Sequence, residues 1–193
     1  VVVIGLGPDG VPEILRKALS MGADRAVHLT ADEVPVDGMS VATALAADLE
    51  GQGYDLILFG RQATDTGHGT VGAMTAARLG LPCVTAISQL DITGSTGTAR
   101  RELEGATETV RFPLPAVLTI DEGIARARIP SLKGIMAARK KPIETRPAQL
   151  GPVRLTIKSL ELPPERSGGR IVGEGPDAVP ELVRLLREEA KAL

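Results

Sequence analysis

The sequence is poor in aromatic residues, cysteine and histidine, and it carries no excess of positive charge. Aromatic residues make up 2% of the 193 residues, and the formal net charge is −2. A nucleic-acid-binding surface needs a basic face and usually stacking rings, so we expect no nucleic-acid partner. One cysteine and two histidines cannot form a zinc site of ordinary ligand composition. No apolar run is long enough to cross a bilayer, so we also expect no membrane insertion.

The single cysteine, Cys83, has no partner for an internal disulfide, which is typical of a reducing compartment, and we expect a cytoplasmic protein. Cys83 lies in the apolar stretch 81–84, which predicts a buried small hydrophobic side chain. No arrangement of the Ser-His-Asp, Cys-His or paired-carboxylate type stands out. The sequence therefore predicts a protein without catalytic residues of its own.

The first 80 residues alternate between short apolar runs and helical patterns. Strands are predicted at 1–4, 26–29 and 55–59, and the last of the helices at Val71–Leu79. The run at 1–4 has no polar face, which is typical of a fully buried strand. Strands alternating with helices indicate a parallel sheet covered by helices.

Beyond Leu81 the predicted strands follow one another more closely. They lie at 84–92, 99–103 and 107–112, with a hairpin turn at 104–106, and a buried strand follows at 116–120. The sequence thus predicts an α/β fold: a parallel core sheet flanked by helices, with an added antiparallel section and a C-terminal arm that ends in a helix.

The last third is less regular. Residues 126–141 show an irregular and basic pattern. At 153–157 apolar and polar residues alternate, which predicts a strand with one solvent-exposed face. Residues 163–175 have the composition of a linker. The chain then ends in an amphipathic helix that could dock on its own domain or on a partner. Its predicted apolar stripe consists of Val179, Leu182, Val183, Leu186, Ala190 and Leu193.

The stretch GLGPDG at 5–10 has the spacing of a dinucleotide-binding turn after a strand. Pro8 counts against that interpretation, because proline lacks the N–H that such a loop offers to a phosphate. The alternative is a plain strand-to-helix turn in which Asp9 caps the helix. An NAD-dependent enzyme and a stand-alone nucleotide sensor both remain open at this point.

The loop after the third predicted strand is a better candidate for a phosphate site. It leads from the carboxyl end of a strand to a helix N-terminus, where backbone N–H groups favour anions. Its glycines permit close approach, its threonines offer hydroxyls and its arginine offers charge. The alternative is a polar connector with helix caps, and His68 is more typical of a surface histidine than of a base. The loop comprises Gly60, Arg61, Gln62, Ala63, Thr64, Asp65, Thr66, Gly67, His68, Gly69, Thr70 and Val71.

The chain resembles the beta subunit of electron-transfer flavoprotein in four stretches: LRKALSMGADRAVHL, LILFGRQATDTGHGTVG, RRELEGATETVRFPLPAVLTIDEG and RIPSLKGIMAARKKPIE. They occur in the same order as in that family. The resemblance implies an electron carrier subunit in a heterodimer whose alpha subunit holds a redox-active FAD. It also implies that an earlier strand, a hairpin and a helix precede this stretch in the full protein.

The same resemblance implies a cofactor and a division of the chain. Residues 1–150 would form an adenine-nucleotide-binding domain, and 151–193 an arm whose helix packs on the alpha subunit. The beta subunit would hold a structural AMP, or a second FAD if the protein is of the bifurcating type that oxidises NADH. Residues 60–71 would surround its phosphate and ribose, and Leu6 and Gly7 would touch its adenosine part.

A docking site is implied as well. By resemblance, Leu132 anchors into an acyl-CoA dehydrogenase or similar flavoenzyme, with Ile135 and Met136 beside it, and electrons pass on to a quinone-linked acceptor. A leucine in a polar, flexible segment is physically suited to be such an anchor. The basic residues at 139–141 would steer an acidic partner surface. The alternative is a leucine that packs onto its own domain.

Overall fold

The computed structural model describes residues 1–33, 35–165 and 168–193. They form two compact units, Val1–Ile157 and Lys158–Leu193. The elements of the first unit are β1 (Val2–Gly7), α1 (Val11–Ser20), β2 (Arg25–Thr30), α2 (Gly38–Leu49), β3 (Leu56–Gly60), α3 (Val71–Leu79), β4 (Cys83–Ile87), β5 (Gln89–Thr93), β6 (Thr96–Leu103), β7 (Ala106–Pro113), β8 (Ala116–Ile120), α4 (Leu132–Lys140) and β9 (Ile143–Pro147).

The predicted α/β fold is confirmed, with its parallel strands divided between two sheets. One sheet has the order β1-β2-β9 and the other β3-β8-β4, and all pairs within them are parallel. In each sheet the central strand is the most buried one: β2 buries its four residues from Ala26 to Leu29, and every residue of β8 before Ile120 is buried. A strand with both faces covered is typically a nearly continuous apolar run, as β8 is, whereas β2 also buries the polar side chain of His28.

Strand β1 is less buried than its sequence predicts. Five of its six residues are half-buried, and among the described residues it pairs with β2 alone. Strand β9, which the sequence analysis missed, lies on the other side of β2. A strand at the edge of a sheet tolerates the polar sequence Glu144-Thr145-Arg146 and a terminal proline, which hide it from a search for apolar alternation.

The antiparallel section is confirmed as a third sheet of order β5-β6-β7. Its hairpin turns at Glu104-Gly105, as predicted, with Gly105 at φ +73°. The single strand predicted at 84–92 is wrong, because the chain changes sheets near Ser88. Ala86 adopts φ +53° there, and its N–H donates to Thr119 Oγ1 at 2.8 Å instead of continuing the ladder.

Helix α1 begins differently from the prediction. The N-cap position is occupied by Gly10, which has no side chain to cap the helix, and Asp9 does not cap it either. The Val11 N–H donates to the Pro8 carbonyl at 3.0 Å, so Asp9 lies inside a turn that runs directly into the helix. Leu15 and Leu19 of α1 are buried, whereas Ile14 is 70% exposed.

The strand predicted at 153–157 is not formed. This segment instead crosses the start of α2, where the Arg154 N–H donates to Asp37 Oδ2 at 2.7 Å. Ser40 Oγ also donates to the Gly151 carbonyl at 3.0 Å. The apolar side chains at 153, 155 and 157 are all exposed, so the alternating residues of this segment do not form one buried face and one solvent-exposed face.

Asp37 is expected to make acid stability depend on pH. Its carboxylate accepts the N–H groups of Arg154 and Met39, and the first of these contributes most to lowering the Asp37 pKa. Because the pKa is lower in the folded protein, the contribution of Asp37 to the free energy of unfolding is complete above the ordinary aspartate pKa of about 3.9. It is lost as the pH falls through the pKa that Asp37 has in the folded protein. We expect the stability gap between the unchanged chain and Asp37→Asn to narrow below about pH 4. Thermal melts of both proteins from pH 7 to pH 3 measure this, and a gap that is constant with pH would contradict it.

The second unit contains α5 (Val179–Glu188) after a 3₁₀ turn at Pro176–Ala178. Arg184 pairs with Glu181 and with Glu188 along the helix surface. The predicted C-terminal helix is thus present but shorter, since Ala190 and Leu193 lie beyond its end. Its buried leucine is Leu185, which the predicted stripe omits. Residues 166 and 167 of the predicted linker lie outside the described residues, and the rest of 163–175 contains no helix or strand.

Candidate functional site

Both segments predicted to bind a nucleotide lie at carboxyl ends of parallel strands. Gly7 ends β1 beside Thr30 of β2, and Gly60 ends β3 beside Ile120 of β8. Ligands of open α/β sheets bind at this edge. The two segments belong to different sheets. The start of α2 borders the second segment, because a Cβ at Gly38 would lie 3.3 Å from Thr70 Oγ1.

The loop between β3 and α3 is exposed and is shaped by its own hydrogen bonds. The Gly67 N–H donates to the Ala63 carbonyl at 2.9 Å, and the Thr66 N–H donates to Asp65 Oδ1 at 2.8 Å. Gly67 and Gly69 have φ of +62° and +61°, a conformation that disfavours other residues. Every residue from 60 to 70 is exposed and Val71 is half-buried. The loop thus presents an accessible surface without being an extended, unstructured connector.

The loop leads into α3 at a point of close packing. A Cβ at Gly72 would lie 2.6 Å from Thr119 Cγ2, so α3 approaches β8 more closely there than a larger residue allows. Thr70 occupies the position before the helix and makes no side-chain cap. The N–H groups of the first turn of α3 therefore receive no side-chain oxygen from this residue.

Arg61, the second residue of the loop, makes hydrogen bonds with the end of β8 and the residue that follows it. Its N–H donates to the Ile120 carbonyl at 2.8 Å, and its guanidinium contacts Asp121 Oδ2 at 2.7 Å. The pKa of Asp121 is lowered, first by the Glu122 N–H that it accepts and then by Arg61. The positive charge that the sequence analysis offered to a phosphate is therefore shared with a carboxylate.

At Gly7 the structure shows a residue that sequence reasoning missed. His28 is 3% exposed, and its Nε2 lies 2.9 Å from the Gly7 carbonyl oxygen. A carbonyl can only accept, so Nε2 is the donor. The signal in the sequence was a single polar residue within the apolar run Ala26-Val27-His28-Leu29. Leu6, just before Gly7, is half-buried.

The segment predicted to be irregular at 126–141 contains helix α4. Ser131 caps it by accepting the Gly134 N–H at 3.0 Å. Leu132, the first helical residue, is 84% exposed, and Ile135 and Met136 follow at helical spacing with 41% and 65% exposure. The three predicted docking residues therefore form one exposed apolar patch on a helix. The many basic residues and Gly134 hid the helical period in the sequence.

Helices α1 and α4 cap each other. Arg16 Nη1 donates to the carbonyls of Ala138 and Lys141 at the end of α4. Lys141 Nζ in turn donates to the carbonyls of Leu19 and Ala23 at the end of α1. Lys141 is thus held against the end of α1 by neutral carbonyl groups, and its expected role in steering a partner stays a prediction. Arg139 and Lys140 are exposed and keep that role as a prediction.

The expectation that Cys83 is buried is wrong. Cys83 is exposed, because it is the first residue of β4, at the end of its sheet. Although the residue is exposed, partial desolvation of its thiol raises the pKa of that thiol. A raised pKa keeps the sulfur protonated near neutral pH, so Cys83 lacks the thiolate character of a reactive cysteine.

The chain is similar to a characterised family over most of its length. Residues 1–150 match the model of the electron transfer flavoprotein domain. The beta subunit of electron transfer flavoprotein from Bacillus subtilis is 36% identical over 205 residues, covering 100% of this chain and 79% of the relative. The subunit of the same name from Homo sapiens is 38% identical, covering 97% of this chain and 76% of the relative.

A third relative, from Syntrophomonas wolfei, is 36% identical over 92% of this chain and 70% of its own length, and it carries the same name. No helix in the described part of the chain has the length and apolar character needed to span a membrane. The parallel sheets flanked by helices, the antiparallel sheet and the C-terminal helix agree with this kinship. The chain belongs to the electron transfer flavoprotein family and, within it, to the beta subunits.

Proposed function

We propose that this chain is the beta subunit of a heterodimeric electron carrier, with a structural AMP in the site formed by residues 60–71, Leu6 and Gly7. In this role the chain supports the FAD of an alpha subunit. The heterodimer passes electrons from acyl-CoA-type dehydrogenases to a quinone-linked acceptor. It is a carrier subunit and not an enzyme. The lone cysteine supports a place in the cytoplasm.

The observation that carries this proposal is the β3–α3 loop. It lies at the carboxyl end of a parallel strand, it is exposed, and it is held in shape by the bond from Gly67 to Ala63. A side chain at Gly69 would lie 3.4 Å from the Arg61 carbonyl oxygen, so the loop backbone is compact at this point. Exposed backbone and hydroxyl groups beside a helix N-terminus are suited to a phosphate and a ribose.

Two sets of exposed apolar residues support the proposed partners. The patch of Leu132, Ile135 and Met136 fits an anchor for a dehydrogenase, with Arg139 and Lys140 available to attract acidic groups. In the second unit, Leu160, Leu162 and Ile171 are each more than 85% exposed. Apolar residues this exposed favour a covering partner, and we assign this role to the alpha subunit.

The direct test is to identify the nucleotides that the complex holds. The full-length chain is co-expressed with its alpha partner, the purified complex is denatured, and the released nucleotides are separated by chromatography. One FAD and one AMP per heterodimer are expected. Two FAD and no AMP would instead indicate the bifurcating type, with NADH oxidation as the next assay. Release of NAD, or of no nucleotide at all, would contradict the proposed function.

Gly69→Ala is expected to weaken AMP retention in that complex. Alanine at φ +61° costs about 1–2 kcal/mol, which the loop relieves by moving away from its binding conformation, and this corresponds to AMP binding that is weaker by about fivefold to thirtyfold. The matched control is Gly80→Ala, because Gly80 has φ +65° and follows the other end of the same helix. Equal loss of AMP in both variants would show that the loop does not hold the nucleotide.

A further inference from the structure

The imidazole of His28 is held at the centre of the first parallel sheet. His28 is paired with Gly5 of β1 on one side and with Thr145 of β9 on the other. It is 3% exposed, and its Nε2 reaches two residues along β1 to the Gly7 carbonyl oxygen at 2.9 Å. A buried polar side chain requires a hydrogen-bond partner, and here the partner is the last residue of the neighbouring strand.

The Gly7 carbonyl is held by two donors. Besides His28 Nε2, the Ala31 N–H donates to it at 3.2 Å. The peptide that leaves Gly7 leads to Pro8, which has no N–H, so this peptide is oriented through its oxygen alone. Gly7 also has φ +149°, and a Cβ there would lie 3.0 Å from Val11 Cγ2. The position and direction of this turn therefore depend on one donor from β2, on one from the residue that follows β2, and on the absence of a side chain at Gly7.

We propose that His28 is a positioning residue for the nucleotide site: its Nε2–H fixes the Gly7 carbonyl and thereby the Leu6–Gly7 backbone that borders the nucleotide. This inference rests on the proposed function, because it takes Gly7 to line the AMP site. His28 itself is buried and does not touch the ligand. Without the imidazole donor, the carbonyl loses one of two partners and the turn loses its single orientation.

The proposal is tested by exchanging the donor in the full heterodimer. His28→Gln places an amide N–H near the position of Nε2, whereas His28→Leu fills the space without a donor. We expect His28→Leu to retain AMP about tenfold less tightly and His28→Gln to stay within about threefold of the unchanged complex. Val27→Ala is the control for general destabilisation, since Val27 is the neighbouring buried residue and its side chain points to the other face of β2.

The outcomes separate this inference from the function on which it rests. An unchanged complex without AMP would contradict the proposed function and the inference with it. An unchanged complex with AMP, together with equal AMP retention in His28→Leu and Val27→Ala at matched melting temperatures, would overturn the inference alone. The inference would also be overturned if His28→Gln lost as much AMP as His28→Leu while its melting temperature equalled that of the unchanged complex.

A second measurement needs no variant at position 28. Nitrogen NMR of the complex with ¹⁵N-histidine only in this chain reports the tautomer of each imidazole, and the chain has two histidines, which His68→Asn distinguishes. The Nε2–H tautomer is expected for His28. The Nδ1–H tautomer would overturn the inference, because a bare Nε2 cannot donate to the Gly7 carbonyl.

Discussion

Leu132→Ala is expected to slow reduction of the heterodimer by its dehydrogenase by about tenfold or more, while FAD and AMP contents stay unchanged. Leu132 is 84% exposed at the start of α4, so its removal leaves no cavity in the domain. An apolar anchor at the centre of an interface contributes about 2 kcal/mol or more when a partner pocket encloses it. Stopped-flow measurement of flavin reduction at subsaturating dehydrogenase concentration gives the effect directly.

The control for this prediction is Leu103→Ala. Leu103 is another exposed leucine of the first unit, at the tip of the β6–β7 hairpin and away from α4 in the chain. The Leu103→Ala substitution should leave the rate of flavin reduction unchanged. If Leu132→Ala reduces as fast as Leu103→Ala, the docking role of α4 is wrong, even though its exposed patch remains a fact of the structure.

Leu118→Ala is expected to destabilise the protein by about 2–5 kcal/mol. Leu118 lies in the middle of β8, between β3 and β4, and is fully buried. Its neighbours include Val84, Ile87 and Phe112, which belong to both the parallel and the antiparallel sheets. The lost side chain thus leaves a cavity where two sheets share one core, and rigid strands on each side limit its collapse.

The comparison for Leu118 is Ile14→Ala on the outer face of α1, where the side chain is 70% exposed. That change should shift stability by less than about 0.5 kcal/mol. Chemical denaturation of the purified heterodimer, followed by circular dichroism, measures both variants. A Leu118→Ala protein that unfolds at the same denaturant concentration as Ile14→Ala would contradict the assignment of β8 as the central core strand.

The parts of the fold that sequence reasoning predicted are those with strong local signals. Strand β8 and helix α3 were predicted residue for residue, because one is a continuous apolar run and the other an alanine-rich helix between glycines. The hairpin turn at Glu104-Gly105 was predicted from a glycine that adopts positive φ. In each case the determining interactions lie within a few residues along the chain.

The misses depend on contacts that are distant in sequence. The segment at 153–157 has the alternation of a strand, yet Asp37, more than 100 residues earlier, takes the Arg154 N–H. The polar strand β9 exists because β2 offers it an edge. His28 could not be assigned from the sequence, since its importance lies in reaching the carbonyl of Gly7 on another strand. The position of the loop at 60–71 was predictable, whereas the pairing of Arg61 with Asp121 was not.

The mutual capping of α1 and α4 has a consequence for the cost of association. Arg16 and Lys141 tie the ends of the two helices together, and a Cβ at Gly134 would lie 2.5 Å from the Ser20 carbonyl oxygen, so the helices are also in close contact. The apolar patch of α4 is therefore folded and fixed in direction before any partner arrives. Binding of a partner to this patch would therefore cost little conformational entropy in α4, so more of the contact energy would remain as affinity.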